Sequence, residues 1–296
     1  MISLPLQRYI ELFRPEELQN IDSFVHPVRE WPKNWSCMAS DWGGTNFRSA
    51  IVEFDGEGNA TLKDLFTCTM PGRETSLTID ELFDFYEERK RAHGATESGV
   101  CFSSPATILP DGTAMIRSFS KDLKISGAEG RIINESVIND ATGVLMGTRG
   151  ANMGLVLGTG FNIAYAKDDT IINSECSLFT GFPKEDFDLG PIAEMQVSGL
   201  YINPLLEKTR GIAPREEIID RAAKIVAAQI YGIAKYAGIS EARIAAEGST
   251  FYKFTELHDR IEHYVDMLPL DIVFLDGRDT TLIGAATALY ERRYSV

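Results

Sequence analysis

No run of apolar residues in this 296-residue chain approaches the roughly 18 needed to cross a bilayer. The opening stretch, MISLPLQRYIELFRPEELQN, is too polar and too interrupted for a secretory signal, so the expectation is a cytoplasmic protein. Cysteine is scarce. Cys37, Cys68, Cys101 and Cys176 stand far apart, match no zinc spacing, and are expected to be buried thiols in a reducing compartment. Histidine is as scarce, and His26, His93, His258 and His263 show no ligand spacing. Positive charge is in deficit, with 29 Lys and Arg against 43 Asp and Glu, for a net charge of −14. That field repels nucleic-acid backbones and anionic lipid, which removes both as expected partners. It leaves room for a nucleotide held by local donors and a metal ion.

Two common phosphate motifs are also missing. There is no G-x-x-x-x-G-K-[ST] run. The stretch GTGFNI has Ile163 where a dinucleotide fingerprint needs its third glycine, and it precedes a strand rather than a helix.

What is present is alternation. An N-terminal lead over residues 1–35 reads as helical, with Pro15, Glu16 and Glu17 as a first helical turn. SCMAS, FRSAIVEF and TLKDLFTCTM read as strands, the last two joined by the turn DGEGN. SLTIDELFDFYEERKRAHG reads as a helix with Leu82, Phe85 and Tyr86 on one face and Gly94 as its stop. SGVCFSS and TAMIRSFS follow as strands, and ESVIND leads directly into the helix ATGVLMGTR. MGLVLGTGFNIAYAK reads as two strands around a turn, and a helical stretch follows near 191–208. The helix PREEIIDRAAKIVAAQIYGIAKYAG starts on Pro214 and stops on Gly238. Strand RIAA, helix FYKFTELHDRIEHYVDML, strand DIVFL and helix DTTLIGAATALYERR complete an α/β pattern.

Two strand–turn–strand stretches resemble each other, DWGGTNFRSAIV and LGTGFNIAYA. A chain carrying this unit twice suggests two related α/β halves with two small Gly/Thr/Asn turns. Glycines in such a turn let backbone N–H groups approach phosphate oxygens. A carboxylate at the turn, here Asp41, would be repelled by phosphates unless a cation lies between them. Mg²⁺ suits that place, because it is often held by one or two carboxylates plus phosphate oxygens. A tight hairpin with a capping Asp is the competing reading of DWGGTN. Likewise Asp140 in VIND could be a simple helix cap.

The order of DWGGTNFR, FSSPA, RSFSKDLKISGAEG, VINDATGVLMG, LVLGTGFN, INSE, EMQVSGLY, AEGSTFYKF and TLIGAATA resembles the hexokinase/glucokinase family, of which the chain looks like a short member. The match runs from about Ser36 to the C-terminus. The resemblance implies an actin-like, ribonuclease H-like α/β fold of two domains around an interdomain cleft. Residues 1–36 would be a helical lead packing on the large domain, 37–137 the small domain and 138–296 the large one. It implies Mg²⁺-dependent transfer of a phosphoryl group from ATP to the 6-hydroxyl of a hexose. Asp140 would be the general base, with Lys121 also at the reacting centre. Ser103, Ser120, Lys121, Asn139, Asp140, Asn162, Glu175 and Glu194 would hold the sugar. Asp41, Gly43, Gly44, Thr45, Asn46 and Arg48 would form one ATP turn, and Gly158, Thr159 and Gly160 the other. Gly248 and Ser249 would lie on the adenosine side. Asp41 would hold Mg²⁺, directly or through water. A homo-oligomer is compatible with the family.

The chain departs from the family pattern at Ser104, where an aromatic is usual, at Cys176 and Ser177 in place of Trp-Gly, and at Pro191 in place of a Gln. Those changes bear on sugar selectivity. They motivate one alternative, a non-catalytic sugar or nucleotide sensor on the same scaffold; an actin-like ATPase without a sugar acceptor is a further one.

Overall fold

The computed structural model describes residues 4–119, 122–183, 190–209 and 214–294. Along the chain the main strands are β1 (Trp35–Trp42), β2 (Asn46–Phe54), β3 (Ala60–Thr69), β4 (Ser98–Phe102), β5 (Ser136–Ile138), β6 (Met153–Leu157), β7 (Phe161–Lys167), β8 (Thr170–Asn173), β9 (Glu241–Glu247) and β10 (Asp271–Asp276). The helices are α1 (Leu6–Leu12), α2 (Ile79–Ala92), α3 (Asp140–Gly147), α4 (Ala193–Val197), α5 (Gly199–Lys208), α6 (Pro214–Ala237), α7 (Ser249–Lys253), α8 (Thr255–Asp266) and α9 (Thr280–Tyr294). The chain divides into two compact units. The first comprises Asp22–Arg149, Asp169–Ile171 and Asp279–Val296, and the second Met1–Ile21, Gly150–Asp168 and Ile172–Arg278.

The first unit is built on a five-stranded sheet in the order β5-β4-β1-β2-β3. β1 and β2 pair antiparallel, as do β2 and β3, while β4 runs parallel to β1 and β5 parallel to β4. The central strand β1 is buried from Cys37 to Trp42, and the edge strand β3 alternates half-buried and exposed positions. Charged Lys63 and Asp64 are exposed on β3, the kind of residue that discourages pairing of an edge strand with another chain. Helix α2 turns Ile79, Leu82 and Tyr86 inward at helical spacing. A capping box fixes its start, with Thr78 Oγ1 accepting from Glu81 N and Glu81 accepting from Thr78 N. Trp42 is a packing anchor, buried among Phe47, Phe83, Tyr86 and Phe102.

Helix α9 belongs to this unit and packs on α3 and on β4 with backbone nearly touching backbone. A Cβ added at Gly284 would lie 1.9 Å from the carbonyl oxygen of Gly143 in α3. A Cβ at Gly99 in β4 would lie 2.2 Å from the carbonyl oxygen of Ala285. Glycine at these places is a matter of space, not of φ.

The second unit carries a six-stranded sheet, the short strand Ile21–Asp22 followed by β8-β7-β6-β9-β10. β6 and β7 pair antiparallel, β9 runs parallel to β6, and β10 parallel to β9. Apart from the short edge strand, this repeats the strand order of the first unit. The likeness between the two glycine-turn stretches therefore extends to whole sheets. The core gathers around α6, with Phe13 of the N-terminal lead against Gly232, edge-on to Phe179 and stacked with Phe182.

Three expectations change. Among its described residues the N-terminal lead is helical only at α1 and in a three-residue 3₁₀ turn, Pro15–Glu17, because Leu18 at once turns extended (φ −71°, ψ 161°). The expected single helix after β9 is two, α7 and α8, because Phe254 leaves helical geometry (φ −101°, ψ 81°). Of the four thiols, Cys68 is only half-buried, while Cys37, Cys101 and Cys176 are buried, and all four are free.

Candidate functional site

Parallel strands deliver their C-terminal ends to one edge of a sheet, and ligands of open α/β sheets bind there. In the first unit the register places Asp41 of β1 opposite Cys101 of β4, and Cys101 opposite Ile138 of β5. The residues that follow these strand ends are the Gly43–Asn46 turn, Ser103, and Asn139 with Asp140. The fold thus gathers these first-unit candidates at one sheet edge. Ser103 N donates to Trp42 O at 3.3 Å, which ties the β4 end to the β1 end.

The β1–β2 turn closes with Gly43 N donating to Asn46 O at 3.1 Å. Asp41 is 7% exposed and sits in a charged cluster. Its Oδ2 accepts from Arg48 Nη2 at 2.7 Å, Arg48 Nε at 3.2 Å and Thr281 Oγ1 at 3.2 Å. Arg48 also donates to Asp279 Oδ1 at 2.8 Å and to Thr281 Oγ1 at 2.9 Å. Asp41 Oδ1 faces the other way, 3.8 Å from where a Cβ on Gly43 would stand. One carboxylate oxygen is therefore fixed by a guanidinium and the other is turned toward the glycine turn. Among the described residues no group of three or more His, Cys, Asp or Glu could hold a metal by itself. An ion at Asp41 would draw its remaining ligands from phosphate oxygens and water, the usual mode for Mg²⁺, so the donor set fits that ion.

Asn139 and Asp140 share one helix start. Asn139 is the N-cap of α3, its side chain accepting from Ala141 N at 3.0 Å. Asp140 is the first helical residue, and its Oδ1 also accepts from Ala141 N, at 2.9 Å. The cap position thus belongs to Asn139. Residues 141–147 are buried, so α3 holds the half-buried Asp140 on a rigid base.

In the second unit the strand ends of β6, β9 and β10 again share an edge, with Val156 opposite Glu247 and Ala246 opposite Asp276. The β6–β7 turn closes with Gly158 N donating to Gly160 O at 2.9 Å. Its carbonyls are tied off by the start of α5, where Gly199 N donates to Gly158 O at 2.7 Å and Leu200 N to Thr159 O at 3.2 Å. Thr250 Oγ1 donates to Gly158 O at 2.9 Å. Gly248 presses on the same turn at φ 122°, where a Cβ would meet the backbone of Leu157 at 2.3 Å. The two second-unit candidate segments for ATP, Gly158–Gly160 and Gly248–Ser249, are therefore in contact.

Asn162, next to that turn, starts a hydrogen-bond chain. Its Nδ2 donates to Asn173 Oδ1 at 2.7 Å, and Asn173 Nδ2 donates to Glu175 Oε1 at 2.7 Å. Glu175 sits in the left-handed region (φ 52°, ψ 36°), which costs a non-glycine residue about 1–2 kcal/mol. Beside it, burial pushes the Cys176 thiol up to about 12, which keeps it protonated and unreactive. Glu194 lies in the first turn of α4, which packs against β7 and the Cys176–Leu178 turn. Ser120 and Lys121 lie outside the described residues.

Asn173, Thr281, Asp279, Thr250 and Arg73 join these clusters beside the residues that the motifs indicate. Arg73 Nη1 donates to Gly44 O at 2.9 Å and Met70 N to Thr45 O at 2.9 Å, so the segment after β3 braces the first turn. Only Asn173 carried a signal, as a second amide two residues before Glu175.

A family model described as hexokinase matches residues 214–290. The chloroplastic hexokinase-4 of Oryza sativa subsp. japonica is 25% identical over 252 residues, covering 65% of this chain and 50% of that protein. The hexokinase of Schistosoma mansoni is 26% identical over 240 residues, covering 62% of this chain and 53% of that protein. The chain spans about half the length of these curated relatives. Among solved structures, the hexokinase from Schistosoma mansoni complexed with glucose matches with a TM-score of 0.76 at 19% identity, over 97% of this chain and 95% of that one. The chain is thus similar to hexokinases in sequence over part of its length, and it shares their actin-like fold, with two glycine-turn sheets of one topology.

Proposed function

We propose that the protein transfers the γ-phosphoryl group of ATP to the 6-hydroxyl of a hexose. The observation that carries this reading is the placement of Asp140. It stands at the N-terminus of a buried helix, on the same sheet edge as Asp41 and the Gly43–Asn46 turn. Phosphoryl transfer needs positioned groups and a base for the acceptor proton. In this reading Asp140 takes the proton of the hexose hydroxyl as its oxygen attacks the γ-phosphorus and ADP leaves. Mg²⁺ held by Asp41 Oδ1 would neutralise charge on the phosphates. The amides of both glycine turns meet phosphate oxygens, and Gly248 and Ser249 meet the adenosine.

The hexose is held by groups that match its hydroxyls in pairs. Asn162, Glu175 and Glu194 supply amide and carboxylate partners, with Asn139 and Ser103 from the first unit. The Asn162–Asn173–Glu175 chain supports this, because it fixes which amide atoms donate and which accept. Ser120 and Lys121 complete the expected set. Substrate closure matters in this chemistry because water is a competing acceptor. Phosphorus NMR of a reaction with Mg·ATP and glucose tests the assignment. The expected product signal is that of a sugar 6-phosphate with ADP. Inorganic phosphate and ADP alone would make the protein an ATPase.

A further inference from the structure

Four polar side chains of α6 are buried: Arg215, Arg221, Lys224 and Gln229. Two have structural partners that account for them. Arg215 pairs with Glu256, and Lys224 bonds Asp220 and the carbonyl of Leu4. Arg221 and Gln229 differ, because they reach toward the two segments that carry Glu194 and Glu175.

Arg221 is 1% exposed. Its Nη2 donates to Gln196 Oε1 at 2.8 Å and to the carbonyl of Pro183. Gln196, one helical half-turn beyond Glu194 on α4, donates in turn to Gly190 O at 3.2 Å and Pro191 O at 3.4 Å. The relay clasps the backbone on one side of Glu194 to the helix on its other side. Gln229, further along α6, donates its Nε2 to Cys176 O at 3.2 Å, the residue after Glu175. One long helix thus grips both acid-bearing segments.

The grip is costly. Among the described residues Arg221 Nε, Arg221 Nη1 and Gln229 Oε1 are buried and have no hydrogen-bond partner. Buried polar atoms left unpaired lower stability, and an apolar side chain of similar size would avoid the loss. Core packing alone does not call for these residues.

We propose that Arg221 and Gln229 are positioning residues that set the spacing and direction of the Glu194 and Glu175 carboxylates for hexose hydroxyls. This rests on the reading of those two glutamates as sugar ligands. α6 serves as the common ruler, and a change at Gln229 moves Glu175 relative to Glu194 without touching either carboxylate.

Gln229→Leu is the first test. It removes the orphaned Oε1, and Cys176 O keeps its bond from Phe179 N at 3.2 Å. Titration calorimetry with glucose is expected to show binding weakened roughly tenfold, the loss that one poorly met hydroxyl hydrogen bond gives. The melting temperature is expected to hold or rise, and the KM for ATP to stay at the wild-type value. Arg221→Met is expected to weaken hexose binding likewise, with Arg221→Lys recovering part of the loss through its remaining donor to Gln196. Hexose affinity unchanged in Gln229→Leu, or weakened only in step with lost stability, would make these residues structural braces and overturn the proposal. A wild-type protein that bound no hexose would instead remove the parent reading, and this one with it.

Discussion

Asp140→Asn and Asp140→Ala are each expected to lower kcat by about 10³-fold, the middle of the range for a positioned general base. Hexose affinity is expected to stay within a factor of a few. The Asn variant separates the two roles open to this residue. An asparagine Oδ1 still accepts from Ala141 N, so the helix start survives, with Asn139 remaining as N-cap. It cannot take a proton. If Asp140 served α3 alone, Asp140→Asn would cost only the charge at a helix N-terminus, about 0.3–1 kcal/mol of stability, and turnover would persist. Steady-state kinetics beside thermal melts and calorimetry with glucose give the answer. Near-wild-type turnover in the Asn variant would remove Asp140 from the chemistry.

Gly284→Ala is expected to destabilise the protein by about 3 kcal/mol, at the upper end of the usual cost of overpacking. The added methyl would stand 1.9 Å from the Gly143 carbonyl, which is backbone and cannot rotate away. α9 would have to lift from α3, and the next residue of α9, Ala285, already lies with its backbone against Gly99 in β4. The same displacement would move Thr281, which donates to Asp41, and α3, which carries Asp140. Activity is therefore expected to fall along with stability. Gly56→Ala is the control, because a Cβ there meets its nearest neighbour, Asn34 Oδ1, at an ordinary 3.5 Å. Chemical denaturation of both variants measures the difference. Equal stability of the two would mean that α3 and α9 do not pack as closely as described.

Much of the fold was legible because its signals are local. The strands around Asp41 and around Gly158 announce themselves by apolar runs broken at glycine turns, and α6 by its Pro214 start and Gly238 stop. The N-terminal lead was misread past Glu17, since Pro15 marks a helical first turn equally well whether or not a helix follows. Phe254 gave no warning of the break between α7 and α8, because an aromatic residue is unremarkable in a helical pattern. The candidate site shows the same division. Asp41, Asp140 and the two turns carry short motifs. The partners of Asp41, by contrast, come from Thr281 and from Arg48 bridged to Asp279, a pairing across more than two hundred residues of sequence that only the folded chain creates. Asn173 lay inside the quoted stretch INSE, yet its place between Asn162 and Glu175 depends on the β7–β8 pairing.

Coupled ADP release, followed over a panel of hexoses with Mg·ATP and set against the rate without sugar, separates a hexose kinase from an ATPase. Turnover is expected to depend on one or a few hexoses and to fall to a small residual rate without them. ADP release at the same rate with and without every hexose would contradict it.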